Sequence, residues 1–149
     1  MAITAEGVAQ VKKYVSYYIK KWRKILTLDS WDIQVSLVPI PSGMSTWMAS
    51  TRTDAQERVA RMEISSGWAD VDSGWDNTYN LEETVIHELI HVCFVASGTE
   101  SFKGGIMSQL ALPSEGLKRL EDGLNDGEEL IVGWLAKVLR NIAGEEADE

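Results

Sequence analysis

Two imidazoles and a carboxylate stand within five residues of one another, in the string His87-Glu88-Leu89-Ile90-His91. The chain has two histidines and both are here, so any chemistry resting on imidazole happens at this place. On a helix, residues four apart project from one face, one turn above each other. Both rings can then reach one ion at Zn–N distances of about 2.0–2.1 Å. Glu88 lies roughly 100° further round, which puts its carboxylate beside a water held by such an ion rather than on the ion. Zinc lowers the pKa of that water toward about 7, and the carboxylate can take its proton and pass it to a leaving amine. The competing reading is a pair of core histidines bonded to backbone, with Glu88 at the surface. Against it stand the caps at both ends of the helix and the apolar neighbours, among which a His-Glu-His trio is costly without partners.

A catalytic zinc needs a third protein ligand and an open fourth position. No third histidine exists, and Cys93 falls about 200° round the helix from His91, so it reads as core filling. The third ligand should therefore be an acid from later in the chain, and Glu128 and Glu129 open the last helix. Periodicity favours Glu128, which shares a stripe with Ile131, Leu135 and Val138. Either acid could instead be ordinary compensation of the helix dipole. Glu82 and Glu83 are poorer candidates, because a capping role already accounts for Glu83.

The elements that must position these groups can be read from pattern. Residues 5–27 form an amphipathic helix, with Val8, Val11, Val15, Tyr18, Ile19, Trp22, Ile25 and Leu26 at three- and four-residue steps. Trp31 to Val38 alternates as a half-buried strand and ends at Pro39-Ile-Pro41-Ser-Gly43. Residues 44–53 are a weak second strand. Val59 to Ile64 is a better one, with Ala60, Met62 and Ile64 on one face and Val59, Arg61 and Glu63 on the other. Ser65 to Thr78 reads as loop. Asn80 then caps a helix over Leu81–Ala96, with Glu83 at the third helical position and Gly98 as the stop. That helix is apolar nearly all round and should be central and buried. Residues 99–127 read as irregular with a short helix at Ser114–Leu120, and a final helix spans about Glu128–Ile142. Strands segregated early, followed by helices, predict an α+β fold: a small sheet covered by helices.

Length and charge bound the rest. The 149 residues fit one domain, 1–143, followed by an acidic tail at 144–149. A net charge of −9 argues against general nucleic-acid binding, since phosphate contacts need a positive field. One cysteine excludes an internal disulfide framework. No signal peptide and no membrane span are evident, which makes a cytoplasmic location the expectation. Residues 1–28 nonetheless carry six basic groups against Glu6, a balance of +5, whereas 121–149 carry nine acids against Lys137 and Arg140, a balance of −7. The basic helix is either a solvated face or a docking element for an acidic partner.

With its HExxH string on a capped helix, the chain resembles the zincin metallopeptidases of the glutamate-ligand kind. It is similar to compact, often phage-encoded members related to the ImmA/IrrE and SprT-like groups. The segment Trp31-Asp-Ile-Gln-Val35 resembles their opening strand and Val59-Ala-Arg-Met-Glu-Ile64 their sheet-edge strand. The resemblance implies one catalytic zinc ion and a peptide or protein substrate. In such relatives the third ligand opens a pattern Glu-x-x-Val-x-x-apolar-Ala, and Glu129 matches it through Val132, Leu135 and Ala136. The resemblance thus favours Glu129, with Glu128 as the alternate. It also implies that Val59–Ile64 takes the substrate backbone as an added strand. Tyr79 or Arg61 would then stabilise the oxyanion. SprT-like proteins usually use a third histidine, and ImmA-type regulators usually accompany a helix-turn-helix; this chain shows neither. The main reading is a zinc-dependent endopeptidase. The alternative is a binding or regulatory protein on the same scaffold with structural zinc.

Overall fold

A computed structural model describes residues 3–40, 43, 47–70, 80–98 and 113–144. Helix α1 spans Ala5–Ile25, and Thr4 caps it by accepting the Gly7 N–H at 3.0 Å. Its buried residues are Val11, Val15, Ile19 and Trp22, steps of four, four and three that trace one helical face. The chain turns through Thr27, at φ 56°, and buries Leu28 before entering β1, Asp32–Val38. Strands β2, Ala49–Asp54, and β3, Val59–Ser65, complete the sheet. A single 3-10 turn follows at Ser66–Ala69. Helices α2, Leu81–Ala96, and α3, Ser114–Ala143, close the domain. The fold is α+β, as the order of elements predicts.

The strand order is β1-β3-β2, with β1 parallel and β2 antiparallel to β3. This corrects the expectation that Val59–Ile64 lies at the sheet edge. β3 is paired on both sides, so it has no free backbone groups with which to accept an added strand. Period-two alternation is the same for an edge and a central strand, so the sequence pattern could not separate them. Among the described residues the edges are β1 and β2.

Ala60, Met62 and Ile64 are buried and Arg61 is exposed, as their alternation predicts. The buried face meets a core of Trp22, Ile86, Leu89 and Val132 among others. Fully burying one such aliphatic side chain contributes about 2–3 kcal/mol. α2 packs on α1, α3 and β2, and no residue of it before Ala96 is exposed.

The last helix differs from its expected form. Ser114–Gly127 continue the helix that was expected to start near Glu128; residues 99–112 and the tail at 145–149 lie outside the described residues. Its buried side chains are Val132 and Ala136, while Ile131 is 53% exposed and Ile142 76%. The stripe facing the core is thus rotated by about one residue from the Ile131–Leu135–Val138 line.

Candidate metal centre

α2 begins where Asn80 Oδ1 accepts the Glu83 N–H at 2.8 Å. It ends at Gly98, whose φ of 81° is the left-handed stop that glycine adopts without strain. Glu82 is anchored in the first turn, 2% exposed, accepting the Trp22 indole N–H at 2.6 Å and Lys21 Nζ at 3.2 Å. The helix is thereby fixed against α1, and its next two turns present His87, Glu88 and His91.

His87 Nε2 and His91 Nε2 lie 3.3 Å apart. The Glu129 carboxylate meets both: Oε1 is 2.8 Å from His91 Nε2 and Oε2 is 3.2 Å from His87 Nε2. Two donors that share a tetrahedral ion at about 2.0–2.1 Å lie about 3.3 Å from each other. The 3.3 Å between the two Nε2 atoms matches one such edge, and each imidazole Nε2 has one Glu129 oxygen at an edge length to within about half an ångström, Oε1 for His91 and Oε2 for His87. Imidazole and carboxylate are also the donor set expected of a three-ligand zinc site. Among the described residues these three form the group of potential metal ligands.

Position on α3 explains why Glu128 and Glu129 both reach α2. Counted from buried Val132 at 100° per residue, Glu128 lies about 40° to one side and Glu129 about 60° to the other. The two acids straddle the stripe that packs on α2. Glu128 Oε1 sits 3.5 Å from His91 Nδ1, with its side chain only 11% exposed. It faces the outer nitrogen of the imidazole whose Nε2 meets Glu129, the arrangement by which acids orient metal-bound histidines.

Glu88 is 6% exposed, and its Oε2 accepts the Thr51 hydroxyl at 2.6 Å. Thr51 was absent from the sequence-derived candidates. It is in register with Met62, so its side chain faces the helices, and only the pairing of β2 with β3 reveals this. A cavity of about 450 Å3 joins the parts, lined by Ala49, Thr51 and Thr53 of β2, by His87, Glu88 and His91, and by the two acids of α3. Arg61 lies on the opposite face of the sheet from Met62 and does not reach this cavity. Tyr79 lies outside the described residues.

Cys93 is half-buried and packs against the core. Burial pushes its thiol above the usual value, and a backbone hydrogen bond offsets part of the rise. Comparisons with protein-family models, with curated proteins and with solved structures give no match for this chain. Among the described residues, no helix is long and apolar enough to cross a membrane.

Proposed function

We propose that the chain is a zinc-dependent peptidase in which His87, His91 and Glu129 hold the ion and Glu88 is the general base. The observation that carries this reading is the Glu129 carboxylate lying against both imidazole Nε2 atoms, beside the cavity that Glu88 also lines. When bound, the ion would lower the pKa of a water toward about 7 and polarise the scissile carbonyl. Glu88, nearly buried beside the same cavity, would serve as the base that takes a proton from an attacking water and returns it to the departing amine nitrogen. Thr51 holds the carboxylate in one orientation while it does so, and Glu128 orients the His91 ring.

The edge strand beside the cavity suits an extended substrate. Ser65 N donates to Met48 O at 2.8 Å. Antiparallel groups alternate, so the backbone polar groups of Ala49, Thr51 and Thr53 point away from β3. A peptide pairing with them would run along the cavity mouth. This moves the substrate-binding role from β3 to β2.

Metal content by atomic emission and hydrolysis of a peptide library by wild type and Glu88→Gln test the proposal together. Stoichiometric zinc in both proteins, with hydrolysis in the wild type alone, is the expected result. Native protein that takes up no zinc overturns it. Zinc-loaded wild type that cleaves nothing overturns the catalytic part in favour of a binding scaffold.

A further inference from the structure

Among the described residues, β1 has one open flank: β3 pairs with one side of it and no strand pairs with the other. Asp32 N donates to Arg58 O at 2.8 Å. By the alternation of a parallel ladder, the N–H and C=O groups of Ile33, Val35 and Leu37 then point to the open flank. Natural edge strands are guarded by lysine, proline or a bulge, and the seven residues of β1 contain neither lysine nor proline.

The side chains of Ile33 and Val35 share the helix-facing side of the sheet with Ala60 and Met62, their register partners. The helices leave them partly uncovered: Val35 is 36% exposed and Ile33 is half-buried. A groove of about 550 Å3 lies between them and α1, with exposed Lys20 and Lys24 on its helical wall. Asp29 adds one carboxylate to the lining. The Arg23 guanidinium is engaged with the carbonyl oxygens of Leu28, Asp29 and Trp31, and so fixes the turn that joins α1 to β1. The groove thus combines unpaired strand edge, apolar floor and ammonium wall in a chain whose net charge is −9.

We propose that this groove docks an extended acidic peptide of a partner protein, which adds to β1 as a fourth strand. Its backbone pairs with Ile33, Val35 and Leu37. Its helix-facing side chains, every second residue, set apolar groups on Val35 and carboxylates against Lys20 and Lys24. The site lies on the opposite edge of the sheet from β2, so it does not rest on the peptidase reading.

Titration calorimetry on the full chain tests it, with the acetylated and amidated peptide Ser-Glu-Ser-Val-Ser-Glu-Ser as probe. Saturable binding is expected, weakened by added salt. The double variant Lys20→Glu/Lys24→Glu should weaken it about tenfold or more, while keeping wild-type thermal stability and zinc content. A probe with N-methyl groups on alternate backbone amides, those facing β1, should not bind wild-type protein; this comparison decides the matter even where the double variant fails to fold. Equal binding by the N-methylated probe overturns strand addition, and equal binding by a probe with lysine in place of both glutamates, Ser-Lys-Ser-Val-Ser-Lys-Ser, overturns charge recognition. Capture of the chain by anionic lipid vesicles without binding of the acidic peptide assigns the groove to a membrane surface and overturns the proposal.

Discussion

The Thr51 hydroxyl donates to Glu88 Oε2 at 2.6 Å, a bond that joins strand β2 to the helix carrying both histidines. A hydrogen bond to a charged acceptor contributes about 1.5–3 kcal/mol, enough to keep a nearly buried carboxylate in one rotamer. The strand that would receive a peptide and the base that would act on it are therefore held in one geometry.

Replacing Thr51 by valine removes that bond and keeps the shape of the side chain. Reactions that depend on placement lose about 100-fold when a group is displaced by an ångström. The expected result for Thr51→Val is a kcat lower by about 10- to 100-fold, with KM and zinc content unchanged. Thr51→Ser restores the hydroxyl and should restore kcat. A change in KM alone would assign Thr51 to substrate contact instead of positioning.

The two neighbouring acids of α3 should separate in metal affinity. Glu129 meets both Nε2 atoms, whereas Glu128 faces the Nδ1 side of His91. Loss of an outer carboxylate costs about 10- to 100-fold in affinity. Competition with a chromophoric chelator should therefore show Glu128→Ala near the lower end of that range and Glu129→Ala beyond its upper end. The reverse order would transfer the ligand role to Glu128.

How much of this was legible in the sequence depends on whether the signal is local. Asn80, Glu83 and Gly98 mark both ends of α2, because caps act on the backbone groups beside them. The buried face of β3 follows from its alternation. The first half of α3 was hidden by Gly116, Gly123 and Gly127 and by Asn125-Asp126. Each interior glycine costs a helix about 1 kcal/mol, and packing along the rest of its length overrides such a penalty. The phase of α3 was hidden for another reason. Leu130, Ile131 and Trp134 are exposed, so apolar residues occur on both sides of the helix and do not define one stripe. Strand order and the Thr51–Glu88 bond depend on pairing between distant segments, which no single stretch of sequence encodes.

Glu82 illustrates a structural acid inside the same helix. Its Oε1 accepts from both the Trp22 indole and Lys21, and Trp22 is fully buried. Glu82→Ala leaves the indole N–H without an acceptor and should destabilise the domain by about 2–4 kcal/mol. Glu82→Gln keeps an acceptor oxygen for the indole and should cost less. Urea unfolding followed by tryptophan fluorescence measures both, and equal losses would show that the charge on Glu82 matters more than the indole bond.

Cys93 links stability to pH in a direction that can be worked out. Burial raises its thiol pKa in the folded chain, so as pH rises the unfolded chain loses this proton first. The folded state then binds more protons than the unfolded state, and stability falls as pH increases. The contribution is fully present below the usual thiol value and declines as pH passes from that value to the raised one. Urea midpoints of wild type should consequently fall relative to those of Cys93→Ala as pH is taken from neutral into the alkaline range. Iodoacetamide at a fixed mildly alkaline pH should label the native chain more slowly than the urea-unfolded chain, because only the thiolate reacts. Native labelling as fast as unfolded labelling would mean that the thiol is not held above its usual value, and the relative loss of stability at high pH should then be absent as well.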